Sequence, residues 1–235
     1  MPDQQPTLRS YEIDCSPIGE VPPADDAPVY RGRYDFTPGK DWFSANVPLW
    51  RSVLAEWRDL PALRYLEIGS SEGRSMVWMF ENILTHPSAR AVSIDPFYHW
   101  PGYLEKDGET LEYFQANMRN AGVESRVQAI RGHSQVELRR LPLDQPFQLI
   151  YVDGNHRATG VLEDLVLAWR LLEPRGLLIA DDYEWKPEWE LSERPRMAID
   201  FFAHVFAEEL EVVHRGYQVL LRKASAETLA NLPMP

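Results

Sequence analysis

From Arg64 onward, short apolar runs alternate with longer amphipathic stretches, and this alternation limits the fold more than any other feature. The runs are RYLEI, AVSI, VQAIR, QLIYV and GLLIA. Between them lie SMVWMFENIL, ETLEYFQANMRNAG, SQVELRRL and ATGVLEDLVLAWRLL. In the last stretch Val161, Leu165 and Trp169 share one helical face, with Leu162, Val166 and Leu172 nearby. Buried strands alternating with helices build a parallel sheet from βαβ units. After GLLIA, RPRMAIDFFAHVFAEE reads as a further helix, and ELEVVH and YQVLLRK, separated by Arg215-Gly216, read as a tight hairpin. The expected fold is α/β in three layers: a five-stranded parallel core closed by an antiparallel pair.

The 235 residues suffice for one such domain. Residues 1–40 read as an irregular arm, rich in proline and acid over its first thirty or so positions (Pro2, Pro6, Pro17, Pro22, Pro23, Pro28, Asp25, Asp26). Residues 41–62 contain DWFSANVPLWRSVLAEW, a helical lead-in beginning near Pro48. The α/β domain then covers 63–224, and 225–235 form a C-terminal tail. The net charge of -12 and a pI near 5.0 argue against a nucleic-acid partner, which a basic face would attract. With Cys15 as its one cysteine the chain forms no intrachain disulfide, which fits a cytosolic location. The first residues carry neither a basic start nor an apolar core of a secretory signal, and no apolar run has the length of a membrane span, so no membrane partner is expected. The arm leaves room for a homo-oligomer.

In an open parallel sheet, ligands bind beyond the carboxyl ends of the strands. The first strand ends in Glu67-Ile-Gly69-Ser70-Ser-Glu-Gly73-Arg-Ser75 and the second in Asp95. The third ends in Gly132-His133-Ser134, the fourth in Asp153-Gly-Asn-His156, and the fifth in Asp181-Asp182. Polar groups from five strands thus converge on one edge. Gly69 and Gly73 let the backbone turn tightly and approach a ligand, and the helix that starts near Ser75 turns its amide donors toward a carboxylate. The dinucleotide pattern G-x-G-x-x-G is absent, which speaks against a nicotinamide enzyme.

The glycine loop resembles motif I of class I S-adenosylmethionine-dependent methyltransferases, in which an acidic residue precedes the glycines. LEIGSSEGRS is especially similar to the loop of catechol O-methyltransferase-like enzymes. From about Asp41 to Lys223 the chain resembles a bacterial family related to the macrocin and cephalosporin-type O-methyltransferases. The shared segments are DWFSANVPLW, LEIGSSEGRS, IYVDGNHRATGVLEDLVLAW, LLIADDYEW and RPRMAIDFF. The resemblance implies a Rossmann-like methyltransferase fold with S-adenosylmethionine held along Glu67, Gly69, Ser70, Gly73, Ser75 and Asp153. Asp95 would accept from the ribose hydroxyls, and His133 and Ser134 would border the adenine. The alternative for Ser134 is a helix cap, and for Asp95 a turn before Pro96.

Three carboxylates at adjacent strand ends, Asp153, Asp181 and Asp182, are costly to gather without a cation. Oxygen ligands suit Mg²⁺ or a similar divalent ion. In metal-dependent relatives the aspartates matching these three hold the cation. Some relatives place a basic aspartate where this chain has Asn155, so His156 is the candidate general base, working beside Asp153. The alternative for His156 is a structural bond to its loop or to Asp182. His86, His99, His204 and His214 show no ligand spacing. Trp42, Phe43, Trp50, Phe97, Tyr98, Trp100, Tyr183 and Trp185 are candidates to cover the pocket or simply to pack.

The expected activity is methylation of a hydroxyl on a small molecule, a secondary metabolite or sugar, assisted by a divalent metal. Two alternatives remain. One is a metal-independent transfer to nitrogen or a carboxylate. The other is a non-catalytic Rossmann-like binding protein.

Overall fold

The structure is a computed structural model that describes residue 30 and residues 33–97 and 110–232. Cys15, the prolines of the early arm, Tyr98, His99 and Trp100 lie outside the described residues. The described residues form a seven-stranded sheet in the order β3-β2-β1-β4-β5-β7-β6. Its strands are β1 (Arg64–Ile68), β2 (Arg90–Asp95), β3 (Val127–Arg131), β4 (Phe147–Val152), β5 (Leu172–Ala180), β6 (Leu210–Arg215) and β7 (Val219–Lys223). The first five are parallel; β7 runs antiparallel to both β5 and β6. The expected parallel core and closing hairpin are both present.

The helices are α1 (Val47–Val53), α2 (Arg74–Asn82), α3 (Thr110–Asn120), α4 (Ser134–Glu137), α5 (Ala158–Leu171), α6 (Pro195–Val205) and α7 (Ala226–Ala230). None is long and apolar enough to cross a membrane. The central strands β1 and β4 are buried on both faces because helices cover both, while β3 at the sheet edge is exposed at Gln128, Ala129 and Arg131. Along β1, Tyr65 packs with Trp50, Met76, Trp78 and Phe114 from α1, α2 and α3. Leu66 and Ile68 pack on the other face with Leu165, Trp169 and Phe202 from α5 and α6.

Two expectations are corrected. SQVELRRL is not one helix, because α4 stops at Glu137 and Leu138–Arg140 tighten into a 3-10 turn. The fifth strand begins at Leu172, directly where α5 ends, and is longer than GLLIA. The tail contains α7, whose Ser225 caps it by accepting from the Thr228 amide at 3.2 Å. Tyr34, Asp35 and Thr37, in the stretch before α1, bond to Glu81, Asn117 and Glu72 of the domain.

The carboxyl ends of β1 and β4 meet at Gly69, which has φ +87°. A Cβ at this position would stand 1.9 Å from the Asp153 carbonyl oxygen. Glycine is therefore required here by backbone angle and by space. Gly69→Ala is expected to cost about 2 kcal/mol or more. A thermal melt with a lowered midpoint would bear this out, and an unchanged midpoint would contradict it.

Candidate active site

The loop from Gly69 to Gly73 turns from β1 into α2, and a buried polar network supports it from below. Glu67 is fully buried; its Oε1 accepts from Ser75 Oγ at 2.6 Å and its Oε2 from Tyr65 Oη at 2.6 Å. Burial pushes the Glu67 carboxyl up to about 7, and the Ser75 and Tyr65 hydroxyls oppose that rise. Ser70 turns its hydroxyl inward to accept from Ser93 Oγ at 2.7 Å. Glu67 and the Ser70 side chain thus hold the loop in shape, while Ser70, Ser71 and Ser75 still line the cavity above it. Gly73, at φ +81°, caps α2 and lets the loop close over Phe114.

Asp95, at the end of β2, binds this loop directly. Its Oδ2 accepts from the Ser71 amide at 2.8 Å and its Oδ1 from the Phe97 amide at 2.5 Å. Burial raises its pKa and those amide bonds hold it down. Each oxygen retains a lone pair for a further donor. Just after β3, the neighbour of β2, His133 is the cap residue of α4, and its carbonyl accepts from the Val136 and Glu137 amides. Ser134 opens that helix, so the capping role falls to the His133 backbone and not to the Ser134 side chain.

The acidic end of the site is built on β4 and β5. Tyr151 places its hydroxyl between two carboxylates, 3.0 Å from Asp153 Oδ2 and in close contact with Asp181 Oδ2. One phenolic proton serves one acceptor, so the two carboxylates crowd each other. Desolvation, then the charges of Asp181 and Asp182, hold the Asp153 carboxyl well above the usual carboxylate range. Burial and Asp182 raise Asp181 to about 6. Asp181 is bonded on every side: it also accepts from Gln218 Nε2 at 3.1 Å and from the Asp182 amide at 2.7 Å. Gln218 in turn accepts from Trp50 Nε1 at 2.7 Å, which ties α1 to the site.

Asp182 faces the other way, with φ +61°. Its Oδ1 accepts from Tyr217 Oη at 2.7 Å, and its Oδ2 lies 2.8 Å from His156 Nε2. The His156 ring packs on Trp185 at 4.7 Å between centroids. Asp153, His156 and Asp182 offer ligand atoms within 4.8 Å of one another. The structure therefore brings Asp153 and Asp182 together with His156, and turns Asp181 toward Tyr151 and Gln218. Of the aromatic candidates, Trp50, Phe97 and Tyr183 are buried packing residues, Phe43 is buried and also lines the cavity at the glycine loop, and Trp42 and Trp185 border the site.

Sequence reasoning passed over Lys40, Glu72, Tyr151, Asp164, Tyr217 and Gln218. Tyr151 lies within the apolar run QLIYV, which hides its polar role. The others act through contacts far apart in sequence, which no local pattern announces.

Residues 66–183, which carry the glycine loop, Asp95 and the acidic strand ends, match the family described as a methyltransferase domain. The chain belongs to that family. It is 28% identical over 134 residues to an uncharacterised protein of Acanthamoeba polyphaga mimivirus, covering 54% of this chain and 55% of that protein. The methyltransferase chain thus spans about half the length of this curated relative. Its fold is similar to the O-methyltransferase TomG from Streptomyces achromogenes, involved in tomaymycin synthesis and solved in complex with SAM. That match has a TM-score of 0.58 at 19% identity, over 76% of this chain and 80% of that one. It is also similar to MycE from the mycinamycin biosynthetic pathway, solved with Mg, SAH and mycinamycin VI. There the TM-score is 0.53 at 18% identity, over 81% of this chain and 51% of that one.

Asp164, on α5 beneath the site, gives a test of the electrostatics. It is fully buried, and neither carboxyl oxygen is satisfied by a hydrogen bond among the described residues, although the nearby Ser134 hydroxyl favours the charged form. Burial pushes it up to about 7. Between an ordinary carboxylate pKa near 4 and that value, the folded state holds the proton and the unfolded state does not. Stability from this group therefore falls as pH rises from about 4 to about 7, and is flat above. Asp164→Asn is expected to raise the melting midpoint by a few degrees at pH 8, and by much less at pH 5. An equal fall at both pH values in thermal denaturation would contradict the assignment.

Proposed function

We propose that this chain transfers the methyl group of S-adenosylmethionine to a hydroxyl of a small-molecule acceptor, with a divalent cation at the acidic strand ends. One observation carries the reading: a glycine loop with its ribose-side carboxylate, Asp95, is joined at Gly69 to an acidic pocket on β4. Cofactor and acceptor would then meet across a single backbone contact. The likeness to chains solved with SAM, and with Mg and SAH, agrees with it.

In this reading adenosine lies over β2 and β3, with its ribose on Asp95 and its base beside His133 and Ser134. The amino-acid half runs back over Gly69, Ser70, Gly73 and Ser75, braced from below by Glu67. That direction leaves the sulfonium facing Asp153. The Asp153 and Asp182 carboxylates are hard oxygen donors that fit a divalent ion such as Mg²⁺ or Mn²⁺. Asp153 and Asp182 would hold it, with Asp181 supporting both from beneath through Tyr151 and its bond to the Asp182 amide. When bound, the cation lowers the pKa of an acceptor hydroxyl and fixes its oxygen. His156, oriented by Asp182 and Trp185, takes the hydroxyl proton. The oxygen–methyl bond forms as the sulfur–methyl bond breaks, leaving a methyl ether and S-adenosylhomocysteine. A sugar or other secondary metabolite is the acceptor class we assign.

One contact favours a metal-independent version. The His156–Asp182 pair at 2.8 Å satisfies both groups without a cation. Calorimetric titration separates the cases without knowledge of the acceptor. S-adenosylmethionine and S-adenosylhomocysteine are expected to bind in the micromolar range and NAD⁺ not at all. A separate Mg²⁺ heat is expected to vanish in Asp182→Ala. Adenosyl binding without a Mg²⁺ heat would select the metal-independent version. Folded protein that binds neither adenosyl ligand would overturn the methyltransferase reading.

A further inference from the structure

The stretch before α1 has no regular secondary structure from Tyr34 to Thr37, yet it is fastened across the loop between β1 and α2. The anchor is Glu72 of that loop, 5% exposed. Its Oε2 accepts from the Thr37 amide at 2.7 Å and its Oε1 from Thr37 Oγ1 at 2.6 Å. Asn117 of α3 joins the two segments, accepting from the Asp35 amide at 2.7 Å and donating to the Glu72 carbonyl at 2.8 Å. Tyr34 Oη donates to Glu81 on α2 at 2.5 Å. Capping by Asp41, which accepts from the Ser44 amide at 2.9 Å, then leads the chain into α1.

These bonds deliver Lys40 to a defined place. It lines one cavity with Trp42, Ser70, Ser71, Ser75 and Asp153. Its side chain is 14% exposed, and among the described residues its ion pair is a long one, 3.4 Å from Glu72 Oε1. That oxygen already accepts from Thr37, so most of the donor capacity of the ammonium is unspent. Arg74, the other cation at this cavity, differs in lying with its guanidinium over the Phe36 ring at 4.2 Å and 3.5 Å from Asp41.

The strand order gives the cavity its meaning. With β3-β2-β1-β4 as neighbours, Asp95 and His133 lie on one side of the glycine loop, and Asp153 on the other. The cavity touches Ser70, Ser71, Ser75 and Asp153 and omits both Asp95 and His133. A nucleoside placed on Asp95 must send its 5′ substituent toward this cavity. For an adenosyl amino acid, that substituent ends in an ammonium and a carboxylate. A lysine only 14% exposed at this cavity is the complement of the carboxylate.

We propose that Lys40 binds the amino-acid carboxylate of the adenosyl cofactor, making the lead-in segment part of the cofactor site. The proposal rests on the cofactor reading given above, and its test separates the two. S-adenosylhomocysteine and 5′-methylthioadenosine, which keeps the nucleoside and sulfur but lacks the amino-acid group, are titrated into the full chain and its variants. The native chain is expected to bind S-adenosylhomocysteine more tightly. Lys40→Ala is expected to weaken S-adenosylhomocysteine about tenfold or more and leave 5′-methylthioadenosine within about twofold. Lys40→Arg is expected to recover most of the loss. Lys40→Gln, which keeps the stem, is measured beside them with melting midpoints, so that a folding defect is not read as lost recognition; it too is expected to lose S-adenosylhomocysteine selectively. Unchanged affinity, or an equal loss of both ligands in the folded variants, would overturn the role of Lys40 and leave the cofactor reading standing. Native chain that binds neither ligand would overturn both.

Discussion

The contact of Gly69 with the Asp153 carbonyl is the constraint on which the rest of the site depends. It brings the ends of β1 and β4 so close that no side chain fits between them. Because the strands are parallel and adjacent, the glycine loop and the acidic pocket share one wall. A ligand lying on the loop then reaches the acidic groups without any movement of the sheet. The register between β1 and β4, Ile68 opposite Val152, is what makes this possible.

Around that contact the polar groups divide by depth. Glu67, Tyr151, Asp181 and Gln218 lie below and bond one another or their neighbours. Asp95, Asp153, His156 and Asp182 lie above and are only partly buried. Burying several carboxylates costs free energy unless protons, donors or a cation compensate. The raised pKa values of Glu67, Asp153 and Asp181 express that cost. A cofactor sulfonium and a divalent cation would be the natural compensation from above. Trp50 extends the network to α1, so the helix before the domain is coupled to the floor of the site by Gln218.

Much of the fold was legible because it follows from local pattern. Apolar runs such as RYLEI and QLIYV could be buried on both faces only between two helical layers. The hairpin was legible from the glycine between two apolar strands, although Arg215 itself closes β6 and the turn is made by Gly216, Tyr217 and Gln218. The glycine loop and the carboxylates at the strand ends were legible because parallel topology sends every such end to one edge. Orientation was not. Asp181 and Asp182 are adjacent, yet a left-handed turn at Asp182 sends their carboxylates to different partners. The clasp of Thr37 on Glu72 was also hidden, since a coil has no period and the partners are 35 residues apart. The same holds for Trp50 and Gln218, 168 residues apart. Contacts of this kind belong to tertiary structure alone.

The most direct test of the account is a crystal structure of the protein grown with S-adenosylhomocysteine and Mn²⁺, phased to reveal the metal by anomalous scattering. The account expects the ribose on Asp95, the sulfur turned toward Asp153, and a Mn²⁺ peak bonded to Asp153 and Asp182. Adenosine bound away from the β1 and β2 ends, or a metal peak with no ligand from these aspartates, would contradict it.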